Sequence, residues 1–420
     1  MKKVVLAYSG GLDTTVAVPW IREKYGMEVV TLTIDIGQPK DWEAVRQKAL
    51  RCGAVKAVVR DAKELFVRSL VWPALQAGAL YEGKYPLATA LGRPLIAKLL
   101  VDVAREEGAE AVAHGCTGKG NDQVRIDLAV AILDPALKVI APVREWKMTR
   151  DEEIKYAKEK GLDVGEGSSG TYSTDENVWG RSIECGPLED PWVEPPADAF
   201  AWTKEVAAAP DRPAEVTIQF ERGVPVALDG KRLEPVALVQ ALNALAGEHG
   251  IGRIDHVENR LIGIKSRELY EAPAAVVLHE AHRELESLTL AKDQLRFKQI
   301  VAQQYADLIY NGLWFTAFHR DLRAFVLSTQ EHVTGEVRLR LGKGRVTVLG
   351  RKSPVSLYDK KLATYDRGDQ FDSSAALGFI YVHGLSARTQ AAKQLQLGEG
   401  GAKDILLEGP GAPPAPTGGR

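Results

Sequence analysis

The stretch A-Y-S-G-G-L-D-T-T, residues 7–15, decides the fold of this chain. It ends a short apolar run, residues 3–8, that reads as a buried strand, and it opens a helical segment, residues 14–24. Gly10 and Gly11 allow positive φ and a close approach of backbone amides to an anion. A glycine turn between a strand and a helix N-terminus is a typical phosphate-binding position in α/β sheets.

The loop offers hydroxyl donors for phosphate oxygens at Ser9, Thr14 and Thr15, and the helix N-terminus adds free N–H groups. It lacks the lysine of a G-x-x-x-x-G-K-[ST] loop. Asp13 is an acid among phosphate donors, which makes sense if it helps to hold Mg²⁺ bound to pyrophosphate. The residues alone leave open a tight strand–helix turn with Asp or Thr as its cap.

Outward from this loop, strand-like and helix-like segments alternate up to residue 140. The predicted strands are residues 28–34, 55–60, 110–114 and 137–140, and the predicted helices open at Asp41 and Asp61 or cover residues 95–107 and 122–133. Strands separated by helices imply parallel βαβ units with helices on both faces of a sheet. We therefore predict an α/β nucleotide-binding domain with a parallel twisted sheet over residues 1–168.

The second part of the chain changes character. Residues 161–196 are rich in Gly, Ser, Pro and Trp and are predicted to be loops over a site. Mixed strand and helix signals follow, which predict a second, α+β domain over residues 169–365. A C-terminal helical segment, residues 366–398, is expected to reach a partner subunit, and the Gly/Pro/Ala-rich residues 399–420 are predicted to be a disordered tail.

A second glycine-rich loop, H-G-C-T-G-K-G-N-D-Q at residues 114–123, also follows a predicted strand and precedes a helix. Lys119, Asn121, Asp122 and Arg125 supply both charges and amides, a mixture that suits a zwitterion better than a bare phosphate. An N-capped helix after a glycine loop, with solvated charges, is the simpler alternative. Loops at this edge of a sheet usually carry function, which favours a binding site.

Composition restricts the partners. The 420-residue chain has 54 basic and 56 acidic residues, so its net charge of -2 does not predict a nucleic-acid ligand. No apolar run has the length of a signal sequence or a membrane span. The three cysteines have neither zinc spacing nor a disulfide pattern, which predicts a cytoplasmic protein. His279 and His282 lack a third metal ligand and are expected to be surface residues.

The first loop resembles the pyrophosphate loop S-G-G-x-D-S/T of N-type ATP pyrophosphatases, which cleave ATP between the α and β phosphates. H-G-x-T-G-K-G-N-D-Q-x-R, residues 114–125, is similar to the segment by which argininosuccinate synthetases hold aspartate and citrulline. Further stretches match that family in the same order: Y-E-G-K-Y at 81–85, R-P at 93–94, Y-S at 172–173, L-E-D-P-W at 188–192, V-E-N-R at 257–260, K-S-R at 265–267, Y-E at 270–271 and E-S-L-T at 286–289. The similarity covers about residues 3–390.

The resemblance implies a fold of the adenine nucleotide α-hydrolase type and a ligase that condenses citrulline with aspartate. ATP is consumed through a citrulline adenylate and released as AMP and pyrophosphate. The implied cofactors are ATP and Mg²⁺, the ion being held by ATP and by Asp13 rather than by a protein cage. A homotetramer is also implied, with no nucleic-acid or membrane partner.

The resemblance also implies roles for individual positions. ATP contacts are expected at Ala7, Tyr8, Ser9, Gly10, Gly11, Leu12, Asp13, Thr14, Thr15, Ile34 and Gly115, and aspartate contacts at Thr117, Asn121 and Asp122. Citrulline contacts are expected at Tyr85, Asn121, Arg125, Ser173, Ser182, Glu258 and Tyr270, and catalytic roles at Asp13, Asp122 and Arg125. One position departs from the family: Ala90 replaces a serine that contacts citrulline, and Thr89 is the neighbouring hydroxyl.

Two other functions are compatible with the first loop. A tRNA-modifying or amide-forming enzyme of the pyrophosphate-loop group would need catalytic cysteines and a basic face, or an amidase nucleophile, and the sequence offers none of these. A nucleotide-binding sensor without turnover is the alternative outside enzymes. The charges and amides after His114 argue against it.

Overall fold

The computed structural model describes residues 2–118, 120–146, 148–163 and 171–395. The chain divides into two compact units, residues 1–357 and residues 358–420. The predicted boundary at residue 168 and the predicted disordered tail, residues 399–420, lie outside the described residues. The domain boundaries stay a prediction.

A five-stranded parallel sheet begins the first unit, with strand order β3-β2-β1-β4-β5. Its strands are β1 (Lys3–Ala7), β2 (Glu28–Asp35), β3 (Lys56–Asp61), β4 (Ala111–Ala113) and β5 (Lys138–Ile140). The helices of this part are α1 (Leu12–Tyr25), α2 (Trp42–Arg51), α3 (Lys63–Phe66), α4 (Trp72–Ala77), α5 (Ala88–Glu107), α6 (Asn121–Leu133), α7 (Pro142–Trp146) and α8 (Arg150–Glu159), with a π-helical turn at Val67–Val71. The predicted parallel sheet is confirmed.

Alternation along β1 determines the two faces of this sheet. Val4 and Leu6 pack into a core with α1, whereas Val5 points to the opposite face and joins the core beneath α5. The core under α5 continues into the second half of the unit, where it includes Phe220 and Leu238. This continuous apolar interior explains why residues 1–357 form one compact unit.

Two antiparallel sheets complete the first unit, with strand orders β10-β9-β8-β13-β14 and β11-β12-β7-β6. Their strands are β6 (Ser173–Asn177), β7 (Gly180–Glu184), β8 (Ala214–Glu221), β9 (Val224–Leu228), β10 (Lys231–Arg232), β11 (Arg253–Asn259), β12 (Lys265–Glu271), β13 (Gly335–Gly342) and β14 (Arg345–Lys352). The accompanying helices are α9 (Pro235–Glu248), α10 (Pro273–Thr289), α11 (Lys292–Tyr310) and α12 (Ala317–Thr329), with 3₁₀ turns at Gly186–Glu189 and Ala197–Ala199. The predicted α+β character of this part is confirmed.

The second unit is helical where it is described. It contains α13 (Lys360–Ala363), α14 (Ala375–His383) and α15 (Leu385–Gln390), followed by a π-helical turn at Ala391–Leu395. The predicted C-terminal helix is therefore present. None of the described helices of the chain is long and apolar enough to cross a membrane.

Three sequence predictions were wrong. Residues 161–196 were expected to be loops, but β6 and β7 form a hairpin there; β6 reads S-T-D-E-N and buries only its last residue, so apolar alternation does not reveal it. Helix α5 starts seven residues earlier than predicted, because the Tyr85 hydroxyl accepts a hydrogen bond from the backbone N–H of Thr89 in its first turn. His282 is 2% exposed and bonded to Gln330, since α10 packs against both α9 and the β13–β14 hairpin.

Gly37 offers a test of how the parallel sheet joins the β6–β7 hairpin. Its φ is +111°, and an added Cβ would lie 2.4 Å from Val178 Cγ1 and 2.8 Å from the Val178 nitrogen. We expect Gly37→Ala to cost ~1–3 kcal/mol more stability than Gly26→Ala, because overpacking adds to backbone strain. Gly26 is the matched control, with a φ of +63° and no atom within 4 Å of its added Cβ. Equal urea midpoints for the two variants would contradict this account.

Candidate active site

A large cavity lies where the strand order of the parallel sheet reverses. Strand β1 has β2 on one side and β4 on the other, so the loops that follow β1 and β4 diverge at the carboxyl edge. Ligands of open α/β sheets bind in such a crevice. The cavity has a volume of about 660 Å³ and is lined by both glycine loops, by the end of β2 and by residues 174–176 of β6.

The first loop has the geometry that its glycines predict. Gly10 has a φ of +77°, the Ser9 hydroxyl accepts the Gly11 N–H at 3.3 Å, and the Ser9 and Thr14 hydroxyls lie 3.2 Å apart. Thr15 was expected to contact ATP, but its side chain does not line the cavity. It is fully buried and its hydroxyl bonds to that of Tyr8 at 3.2 Å, because this position of α1 faces the core. Ser9 and Thr14 are therefore the loop hydroxyls that line the cavity.

Two lysines from outside the loop supply cations to it. Lys40, just before α2, donates to the Ser9 carbonyl at 2.8 Å, and Lys48 of α2 donates to the Gly10 carbonyl at 2.9 Å. Desolvation lowers the pKa of Lys40. The first loop has no positively charged residue of its own, and Lys40 and Lys48 supply this charge from the β2–α2 connection and from α2. The spacing of residues in the sequence did not indicate either lysine.

An acidic pair lies at the start of α1. Asp13 lines the cavity, and the Glu153 side chain of α8 is hydrogen-bonded to it and 5% exposed. Burial and the neighbouring Asp13 carboxylate raise the pKa of Glu153 to about 8. Within the described residues no group of three His, Cys, Asp or Glu side chains could hold a metal ion. Asp13 is a cavity-lining carboxylate beside the first glycine loop, an oxygen donor of the kind that Mg²⁺ prefers.

A buried arginine connects the second loop to the third sheet. The same Arg93 nitrogen of α5 donates to Asp122 at 2.7 Å and to Asp175 of β6, and Arg125 donates to the other Asp122 oxygen at 2.9 Å. Burial alone would raise the pKa of Asp122, but the charges of Arg93 and Arg125 outweigh it and lower the pKa to about 2. Asp122 is thus a stable carboxylate at neutral pH.

A smaller cavity, of about 100 Å³, adjoins the large one and shares Asp122 with it. Its walls carry the stacked pair Tyr85 and Tyr270, with centroids 4.0 Å apart, and Tyr310, whose ring stacks on that of Tyr81, outside the lining, at 3.6 Å. The remaining lining residues are mostly polar: Thr89, Gly120, Asn121, Arg125, Ser182, Glu184, Glu258, Arg260 and Glu268. The arrangement offers acceptors for an ammonium group beside donors for a carboxylate.

Two family models together match nearly all of the described chain. The N-terminal HUP domain of arginosuccinate synthase matches residues 3–163, and the arginosuccinate synthase C-terminal domain matches residues 172–390. The chain belongs to the argininosuccinate synthase family.

Individual relatives agree with this assignment over nearly their whole length. An argininosuccinate synthase of Dehalococcoides mccartyi is 60% identical over 395 residues, which cover 94% of this chain and 97% of the relative. One from a Synechococcus species is 56% identical over 400 residues, covering 95% and 99%. One from Oceanobacillus iheyensis is 53% identical over 407 residues, covering 97% and 98%.

Most of the residues that the sequence analysis assigned to a binding site line one of the two cavities. The large cavity is lined by Ala7, Tyr8, Ser9, Gly11, Asp13, Thr14, Ile34, Gly115 and Asp122, and the small one by Tyr85, Asn121, Asp122, Arg125, Ser182, Glu258 and Tyr270. Five assigned residues line neither cavity: Gly10, Leu12, Thr15, Thr117 and Ser173. The last two are exposed.

The residue next to Ala90 places a hydroxyl group at the small cavity. Ala90 is fully buried, so its missing hydroxyl leaves a packed methyl group rather than a gap at the surface of the cavity. Thr89 lines the small cavity, and its hydroxyl lies 3.3 Å from that of Ser182. Position 90 therefore offers no hydroxyl to the small cavity, whereas position 89 does.

Several cavity residues had no role in the sequence-based assignment, notably Arg93, Asp175, Lys40 and Tyr310. Arg93 carried a signal, since it is a charge inside the apolar stretch of residues 87–101 that forms a buried helix. Asp175 lies in a segment that was predicted to be loops, Tyr310 bonds to Asn121 189 residues away, and Lys40 bonds to the Ser9 carbonyl 31 residues away. Local periodicity does not reveal such positions.

The Arg93 bridge predicts a pH-dependent stability. The folded pKa of Asp122, about 2, lies below its ordinary value of 3.8, so the pair stabilises the fold above about pH 4 and loses this contribution as the pH falls towards 2. We expect Arg93→Gln to cost about 3 kcal/mol at pH 7, because a buried pair is broken. The difference from the unaltered protein should shrink in urea titrations at progressively lower pH.

Lys98→Gln is the control for this prediction. Lys98 forms an ion pair with Asp102 on the same helix, but their side chains are 44% and 33% exposed. Exposed pairs contribute at most about 1 kcal/mol. A loss for Arg93→Gln as small as that for Lys98→Gln, or one that does not depend on pH, would contradict the role of the bridge.

Proposed function

We propose that the chain is an argininosuccinate synthase, which condenses L-citrulline with L-aspartate and converts ATP to AMP and pyrophosphate. Two adjoining cavities that share Asp122 carry this proposal, since the reaction needs a nucleotide site that opens onto an amino-acid site. Family membership over residues 3–163 and 172–390 supports the same activity.

The large cavity suits ATP bound with its pyrophosphate at the first loop. The N–H groups of residues 9–11 and the N-terminus of α1 offer donors and a partial positive charge to phosphate oxygens. Ile34, at the end of β2, offers a backbone edge to the adenine, and Trp42 adds an apolar wall. Lys40 and Lys48 lie close enough to the loop to offset the charge of the departing pyrophosphate.

The small cavity suits citrulline, with Glu258 as the acceptor for its ammonium group. Tyr85, Ser182 and Tyr270 line the same space and carry hydroxyls for the remaining polar atoms. Aspartate would bind between the cavities, where Asn121 and Asp122 open α6. The predicted contacts at Thr117 and Ser173 stay predictions, because neither residue lines a described cavity.

In the first step the ureido oxygen of citrulline attacks the α-phosphorus, and the bond from that phosphorus to the bridging oxygen breaks. The electron pair leaves with pyrophosphate, whose charge the first loop stabilises. In the second step the aspartate ammonium loses a proton to solvent, and the neutral amine attacks the activated carbon. AMP leaves with the electron pair of the broken C–O bond and takes up the proton that the attacking nitrogen then releases. Asp122 stays ionised because of its low pKa, so it orients the aspartate ammonium rather than taking up its proton.

Mg²⁺ is part of this proposal. The ion neutralises phosphate charge when it is bound with ATP. Asp13 is the residue of the first loop that would hold it, as the acid lining the cavity at the start of α1.

The two rival functions receive less support. Cys116 lines the large cavity, but burial raises its thiol pKa to about 12, so it is not a nucleophile at neutral pH as tRNA thiolation would require. A sensor without turnover needs only a nucleotide cavity, and it leaves the second cavity with its stacked tyrosines unexplained.

The decisive assay measures AMP and pyrophosphate release from ATP, with citrulline and aspartate added singly and together. We expect full release, with argininosuccinate formed, only when both amino acids and Mg²⁺ are present, and loss of activity on chelation. Release that ignores either amino acid would retain the pyrophosphate-loop chemistry and overturn the substrates. ATP binding without AMP formation would favour the sensor.

A homotetramer, in the cytoplasm, completes the proposal. Helix α14 is apolar on all sides, and Leu377, Phe379 and Val382 are 76%, 66% and 65% exposed in the single chain. Exposed apolar surface of this kind marks an interaction site. The three free cysteines support the cytoplasmic location.

Light scattering tests the assembly. We expect the mass of four chains for the unaltered protein and a smaller species for Leu377→Asp combined with Phe379→Asp, because two charges would be buried in an apolar contact. Val55→Asp is the control, since Val55 is also apolar and 51% exposed but lies in the first unit. A monomeric unaltered protein would contradict the tetramer.

A further inference from the structure

Tyr310, the last residue of α11, reaches the small cavity from a segment that has no role in the sequence-based assignment. It is 1% exposed, and its ring stacks on Tyr81 at a centroid distance of 3.6 Å with an angle of 6° between the planes. The Arg125 guanidinium lies 4.7 Å from the same ring, and its Nε donates to the Tyr310 carbonyl at 2.8 Å. Ring and backbone are therefore both held in one position.

The Tyr310 hydroxyl connects two residues expected to contact substrate. It donates to Glu258 Oε1 at 2.5 Å and accepts from Asn121 Nδ2 at 2.8 Å. The second Glu258 oxygen accepts from the Tyr270 hydroxyl. Burial is the main cause that raises the pKa of both tyrosines above their ordinary value, so both hydroxyls stay protonated donors across the physiological pH range.

The Tyr310 hydroxyl thus orients one hydrogen-bond acceptor, the Glu258 carboxylate, and one hydrogen-bond donor, the Asn121 amide. Glu258 is 3% exposed, and each of its oxygens keeps a lone pair after accepting from one tyrosine. Asn121 donates one N–H to Tyr310 while its Oδ1 accepts from the Leu261 N–H at 3.0 Å, so within the part of the chain that the structure describes its second amide N–H stays available to a ligand. A free carboxylate lone pair beside a free amide N–H is the combination that an α-amino acid zwitterion requires.

We propose that Tyr310 is the positioning residue for the amino-acid end of citrulline, fixing the Glu258 carboxylate for the ammonium group and the Asn121 amide for the carboxylate. The inference rests on the proposed function, since it assigns a further residue to the same site. Tyr310 does not touch the reacting ureido group, so it acts on binding rather than on the chemical step.

The test compares Tyr310→Phe with Tyr81→Phe by calorimetric titration of citrulline and by steady-state kinetics. Both substitutions remove one hydroxyl from the same stacked ring pair, but the Tyr81 hydroxyl donates to the Asn259 carbonyl and not to Glu258. We expect Tyr310→Phe to raise the Kd and KM of citrulline roughly 10-fold or more, because a hydrogen bond to a charged group is lost. The kcat of that variant and both constants of Tyr81→Phe should change less than about twofold.

A citrulline analogue that lacks the α-amino group separates positioning from general loosening of the site. If Tyr310 acts through Glu258 on the ammonium group, Tyr310→Phe should weaken analogue binding much less than citrulline binding. Equal weakening for both ligands, or unchanged citrulline affinity in Tyr310→Phe, would overturn the inference. An unaltered protein that binds no citrulline and forms no argininosuccinate would instead overturn the proposed function.

Discussion

The arrangement of both cavities depends on the buried guanidinium of Arg93. One of its nitrogens is shared by Asp122, at the start of α6, and Asp175, in the β6–β7 hairpin, so one charge holds together parts of the chain that belong to different sheets. The Arg93 side chain is only 13% exposed, so its charge needs these carboxylates as partners, because an unpaired buried charge costs several kcal/mol. Asp122 is also the residue common to the two cavities. The bridge therefore lies where the large cavity meets the small one.

Salt bridges also determine which positively charged side chains are available to interact with phosphate. Arg93 and Arg125 are both engaged by Asp122, so they add little net charge to the large cavity. Lys40 and Lys48 donate to the Ser9 and Gly10 carbonyls, and Lys40 also lines the large cavity. Positive charge is thus concentrated beside the first glycine loop and balanced near Asp122. This separation suits a reaction in which the leaving group is highly anionic while the two amino acids are zwitterions.

Local sequence predicted the parallel sheet but not the β6–β7 hairpin, for a physical reason. Strands β1 and β2 are buried along nearly their whole length because helices cover both faces of their sheet, and their apolar and β-branched residues reveal them. Strand β6 instead presents Asp175 to Arg93, and its register depends on β7 and β12, which no local pattern encodes. The same holds for the site. Both glycine loops were visible in the sequence, whereas Tyr310 comes from the end of α11, 189 residues from its partner Asn121.

One wall of the large cavity includes part of an irregular segment, residues 201–203, which a single buried carboxylate holds in place. Glu271 is fully buried and accepts from the backbone N–H groups of Ala201, Trp202 and Thr203, as well as from Arg181. A carboxylate satisfied by several N–H donors is a rigid anchor, since releasing any donor leaves a buried charge less compensated. Trp202 and Arg181 both line the large cavity, so Glu271 holds part of its wall in place. Tyr270, the preceding residue of β12, lines the small cavity. The end of β12 therefore shapes both cavities. A shift of this strand would consequently alter the walls of both cavities together, which couples them through one element of the fold.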